Sequence, residues 1–278
     1  MPTIRMLDFL SKLSDAYLVV YNTVNIVERS DVQSFIVNTM MQGTDQLLQE
    51  LEDKRVFYGD IPQKTALKGL LTQRLKDANA RKVQEYVPVL LNQNLVMLCT
   101  IMEIFFLHIL ETIISKEPNV LVGLAQEKRL SLQQVLSLKD YDSIIEKFRS
   151  KVLDHFSRQG LKEKFKIYEK IGLDINKVFD YSTYTDDAQK RLIGYDFSKL
   201  SKIFDKRHNT VHKNELPLKE LSELVKTKYF FEKIVIKLSI LTMDKYAILL
   251  DLQDILVRSG YPRDKILPER QRKKEVDN

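Results

Sequence analysis

The chain has 278 residues, 44% of them hydrophobic and 29% charged, a mix that fills a sizeable core and excludes an intrinsically disordered chain. Its eight glycines and seven prolines are too few for a strand-and-turn architecture, so long helices are favoured. A net charge of +6 suits a polyanion partner such as RNA without requiring one.

Leu7, Leu10, Leu13, Tyr17, Leu18, Tyr21 and Val24 recur at helical spacing and predict a first helix. A second is expected to start after Ser30 or Asp31, both good N-caps, and to carry Phe35, Ile36, Met40, Leu47, Leu48 and Leu51. Tyr58-Gly59-Asp60-Ile61-Pro62 breaks the pattern, so a boundary is expected there. From Lys64 the helical pattern resumes, with Pro88 as a kink or a helix start. Residues 90–114 read as a hydrophobic helix that stops before Pro118-Asn119. Its most apolar run, 95–110, contains Thr100, Glu103 and His108 and falls short of the ~20 apolar residues of a membrane span, so it reads as a core helix.

Helices are expected near 131–138, 141–156 and 161–171, punctuated by Gly160 and Gly172, and residues 174–196 read as loop. Residues 197–213 form a predicted helix with Leu200, Ile203 and Phe204 inward. Pro217 is placed in the first turn of a last helix carrying Leu221, Leu224, Phe230, Ile234, Leu238 and Leu241. No strand is expected. The fold class is therefore all-α, divided into an N-terminal helical segment (1–80), a helical domain (81–260) and a basic, frayed tail (261–278). The single cysteine, Cys99, permits no intrachain disulfide, and residues 4–13 mix charge with apolar side chains instead of forming a leader. Both give the expectation of a reducing, cytoplasmic setting with no membrane.

Candidate chemistry is concentrated in Arg207-His208-Asn209-Thr210-Val211-His212. Only four histidines occur in the chain, and His208 and His212 lie four residues apart, on nearly the same helix face. Arg207 and Val211 form the adjacent stripe, with Val211 expected to anchor toward the core. Cleaving RNA without a metal needs a base for the ribose 2′-hydroxyl, an acid for the leaving 5′-oxygen and a cation for the phosphoryl charge. Histidine titrates near neutrality and serves either proton transfer, and the arginine fork matches a phosphate. The spacing alone is weak, since a His–Arg cluster at a helix C-terminus also complements the helix dipole.

The run Lys206 to Asn214, K-R-H-N-T-V-H-K-N, resembles the signature of the HEPN superfamily, whose nuclease members carry an arginine, four to six intervening residues and a histidine. The helix L-C-T-I-M-E-I-F-F-L, from Leu98 to Leu107, is similar to the first helix of several HEPN groups, which sets Glu103 at the position of their acidic residue. The resemblance covers roughly residues 81–258, is nearest to the ribosome-associated and abortive-infection-type groups, and implies an up-and-down helical bundle with extra N-terminal helices. It also implies a metal-independent endoribonuclease that acts as a homodimer on an RNA substrate, in defence or toxin–antitoxin systems, with an antitoxin or defence partner and no cofactor. On that reading His212 is the acid–base residue, Arg207 clamps the phosphate, His208 orients, and Glu103 and Asn209 support. Where many such motifs continue into Asn and a glycine-containing turn, this chain has Lys213-Asn214-Glu215.

Other readings stay open. His208 and His212 match the paired ligands of a zinc helix, but Asn209 stands where the metallopeptidase motif needs Glu, and no third ligand is evident. Glu103, a carboxylate in an apolar helix, needs a partner that Arg207 or one of the histidines would supply. It reads either as a catalytic support or as a structural buried ion pair, with Cys99 an inert core residue. The alternative from another class is a non-catalytic helical nucleotide-binding or protein-interaction module.

Overall fold

The first helix, α1 (Met6–Glu28), buries Met6, Phe9, Leu13, Ala16, Val20 and Val24, a stripe three or four residues apart that wraps one face of an amphipathic helix. A computed structural model describes residues 2–53, 61–125, 140–180 and 194–252 of the chain. α1 packs on α3 (Ile61–Lys116) and α8 (Leu221–Tyr246), with α2 (Ser30–Asp53) against α3. Short α4 (Val120–Ala125) follows, then α5 (Tyr141–Arg158), α6 (Leu161–Lys170), a 3-10 turn (Ile175–Val178) and α7 (Phe197–Lys213). The described residues are all-α, eight helices around one hydrophobic core.

α3 is the spine. Leu91, Leu95, Leu98, Cys99, Met102, Phe105, Phe106, Ile109 and Leu110 are fully buried along it. It contains a stretch long and apolar enough to cross a membrane, and 56% of that window is buried inside the bundle. Pro88 neither starts nor ends a helix: α3 runs through it, and through residue 80. Proline removes one ladder donor there. Four residues on, the buried Asn92 amide donates to the Pro88 carbonyl at 2.7 Å and stitches this turn to the rest.

One exception to the all-helical expectation is a two-residue parallel pair, β1 (Thr3–Ile4) with β2 (Leu249–Leu250). It holds the start of α1 against the end of α8. The Asp251 carboxylate accepts from the Leu7 and Asp8 amides at 2.8 and 3.2 Å, so the cap that Arg5 does not give α1 comes from the far end of the chain. His108 Nε2 accepts from the Arg5 amide at 3.1 Å. Such long-range pairing leaves no local periodicity to read.

Pro217 lies before α8, whose first residue is Leu221, so it is not in the first turn of the last helix. Leu218 instead enters the core, with its amide and carbonyl both bound to the Asn92 side chain. The expected break near residue 58, the helix at 131–138, most of the loop before Asp196 and the basic tail lie outside the described residues.

Candidate functional site

α7 begins with Asp196, whose carboxylate accepts from the Lys199 amide at 2.9 Å, and it buries Leu200 and Ile203. At 100° per residue these share a face with Arg207, while His208 and His212 lie on one flank and Lys199, Lys202 and Lys206 on the other. The helix ends on Asn214 in the left-handed conformation (φ 54°, ψ 32°). The Asn209 carbonyl accepts from the Asn214 and Glu215 amides, so Asn214 does what a glycine often does at a helix end. That is how the turn closes without glycine. It is the carbonyl of Asn209 that has a described role, as a C-cap.

Arg207 turns toward α3, where its Nη2 lies 3.6 Å from Glu103 Oε2. Neither side chain is sealed: 27% of Arg207 and 34% of Glu103 is exposed. The Arg207 Nε is buried with no hydrogen-bond partner. His208 and His212 are exposed, their ring centroids 4.5 Å apart and inclined at 41°. The structure thus brings Glu103 to Arg207 and pairs the two imidazoles on the solvent side of the same turn.

Val211 does not anchor the helix. It is 48% exposed, and residues 211–215 are exposed throughout. Met97 and Ile104 on α3 are also exposed, at 43% and 53%. Ile104 lies half a turn round α3 from Leu95, which lines the cleft on the lysine flank of α7. Met97 and Ile104 therefore lie on the side that carries the histidines.

Two features of the site lie outside the motif. The first is Lys164 on α6, only 4% exposed, with its Nζ 5.7 Å from the centre of the Phe156 ring. Burial pulls its pKa below that of an ordinary lysine; Glu103 opposes this and Arg207 adds to it. The same two residues act on Cys99, whose thiol burial pushes far up, so it stays protonated and inert. The second is a cleft of about 140 Å³ on the opposite flank of α7, lined by Lys199, Lys202, Lys206 and Lys226 with Tyr195 and Glu223. Lys206 is neutralised by Glu223 at 2.7 Å. The i, i+3, i+7 spacing of the three α7 lysines was the available clue.

A larger hollow of about 650 Å³, lined by His155, Gln159, Glu163 and Lys166, contains none of the motif residues. Among the described residues no group of three or more His, Cys, Asp or Glu side chains could hold a metal ion. Comparison with protein-family models, with curated proteins and with solved structures finds no match to this chain.

Proposed function

We propose that the chain is a metal-independent endoribonuclease of the HEPN type that acts as a homodimer. The observation that carries this reading is the exposed His208–His212 pair on the turn that holds Arg207 in a loose, solvent-reachable contact with Glu103. Arg207 would clamp the scissile phosphate. His212 would take the 2′-hydroxyl proton while the 2′-oxygen forms a bond to phosphorus, and the 5′-oxygen would leave with a proton from an imidazolium, giving a 2′,3′-cyclic phosphate. His208 would orient the group.

The spacing of the rings supports pairing of two protomers. A base and an acid on opposite sides of one phosphorus must each stand about 2.8 Å from an oxygen of the phosphate, and two rings centred 4.5 Å apart leave no room for that. Two copies of His212 across a twofold axis do. Met97, Ile104 and Val211 supply exposed apolar surface on that side. The unneutralised lysines of the opposite cleft supply a sequence-independent attraction for polyanions.

The second reading is a non-catalytic helical module, with an antitoxin-like or other protein partner on the same surface. It is favoured by one observation, that Arg207 already has a carboxylate partner. Incubation of labelled RNA in EDTA with wild type, Arg207→Ala and His212→Ala separates the two. The nuclease reading expects chelator-resistant cleavage that falls at least about 10²-fold in each variant. Absence of cleavage by wild type over several RNAs favours the module.

A further inference from the structure

On the flank of α7 away from the histidines, the cleft of about 140 Å³ has a floor of Leu95, Ile203 and Leu218, all buried. Its rim carries Lys199, Lys202 and Lys206 from α7 and Lys226 from α8, against the one carboxylate of Glu223. Glu223 is taken by Lys206 at 2.7 Å. Lys199, Lys202 and Lys226 make no ion pair with a described residue, so three positive charges in excess line one opening. Tyr195 offers them no stacking partner beyond the protein. The Lys199 ammonium lies 5.1 Å from its ring centre, and Phe230 packs against it edge to face at 5.1 Å.

Size decides what these charges can hold. Small-molecule sites run from ~300 to ~1,000 Å³, whereas 140 Å³ is the share of about five waters. Phosphate groups of a longer chain fit there, and a whole nucleotide does not. Lys199, Lys202, Lys206 and Lys213 also fall within an arc of about 60° and form one stripe along α7. The stripe runs about 20 Å, the length of roughly six phosphates on one strand, and ends among the exposed residues 211–215. Asp205, the one carboxylate of α7, lies about a quarter turn away from it. His212 stands about 110° round the same helix end from the middle of the stripe. A chain that follows the lysines must therefore bend round a cylinder about 10 Å across to reach it. A single strand bends that sharply; a duplex, stiff over about 150 base pairs, does not.

We infer that the α7–α8 cleft and the lysine stripe form a backbone track for single-stranded RNA, seating phosphates to one side of the step that the His212 turn addresses. The identity of the polymer rests on the nuclease reading. With ammonium groups on its rim and its one aromatic ring covered, the track reads charge and not base.

The test measures binding of a 2′-O-methyl oligoribonucleotide of about nine nucleotides, which 2′-oxygen attack cannot cleave, across a salt series. The triple variant Lys199→Gln, Lys202→Gln, Lys226→Gln should weaken it at least about tenfold at low salt and flatten the slope of log K against log salt by about 2. A charge-matched triple on α3, Lys76→Gln, Lys82→Gln, Lys116→Gln, should lose less than about threefold. All six side chains are exposed, so both variants should keep the wild-type thermal midpoint. Wild-type affinity should climb with strand length to roughly six nucleotides and then level off, and should be the same for unrelated sequences. The oligonucleotide annealed to its complement should bind at least about tenfold more weakly than the single strand.

Equal losses in the two triples, or a duplex bound as tightly as the single strand, overturn the track. Binding that Arg207→Ala weakens and the cleft triple does not overturns the track and leaves the nuclease reading standing. Cleft-dependent binding by a wild-type chain that cuts no unmodified RNA keeps the track and overturns the nuclease reading. Binding of no oligonucleotide overturns both.

Discussion

Two places where α3 meets α7 and its neighbours differ in how completely their polar groups are satisfied. At Asn92 every group is used: the amide donates to the Pro88 and Leu218 carbonyls at 2.7 and 2.8 Å, and the oxygen accepts from the Leu218 amide at 3.0 Å. Three turns further along, at Glu103, the ion pair is loose and the Arg207 Nε is buried with no partner. Asn94 Oδ1 and Ser239 Oγ are also buried without partners, but both are neutral. A closed network fixes a fold, and an open charged one is held in place by the fold for something else to complete.

The strongest way to break the comparison is at its closed end. Asn92→Leu strands the buried amide and carbonyl of Leu218 and should cost about 3 kcal/mol, read from urea denaturation. A cost below about 1 kcal/mol would mean that water or a rearranged loop replaces the side chain easily. Asp251→Ala removes the remote cap of α1 and should cost about 1 kcal/mol in the same measurement.

The open end behaves differently. Lys164→Met should be neutral or stabilising by up to about 1 kcal/mol, because it removes a lysine whose charged form burial disfavours. Its pH dependence has a definite sign. Burial depresses the folded-state pKa of Lys164, so its cost is fully felt below that value and relieved as pH rises toward 10.5, the unfolded value. The difference in stability between wild type and Lys164→Met should therefore shrink on the alkaline side.

The smallest effect expected is at His108, whose pKa burial and Arg5 lower from 6.5. Its Nε2 accepts the Arg5 amide, so the neutral ring is the one that fits. That stability is present above pH 6.5 and is lost as pH falls through the window below it. His108→Asn should lack this acid-side loss in a denaturation series.

The helices that bury a regular stripe were legible in the sequence. α7 was read as residues 197–213 and is Phe197–Lys213, because Asp196 and the Leu200–Ile203 spacing mark its start and inward face. Of the partners expected for Glu103, Arg207 or a histidine, the structure supplies Arg207. What escaped was set by distant partners. β1 pairs with β2 across nearly the whole chain, and Pro88 is carried inside α3 while its surroundings are tied by Asn92. Lys164 was invisible for the same reason. Within L-K-E-K-F-K it looks like any surface lysine, and only the packing of α5, α6 and α7 makes it buried.

The proposed cleavage of RNA by 2′-oxygen attack at the Arg207–His212 turn is tested most directly by the chemistry of the product ends. End-group analysis of RNA cut in EDTA by the wild-type chain should find a 2′,3′-cyclic phosphate facing a 5′-hydroxyl, with neither end formed by His212→Ala. Products bearing a 3′-hydroxyl and a 5′-phosphate, or cleavage undiminished in His212→Ala, would contradict it.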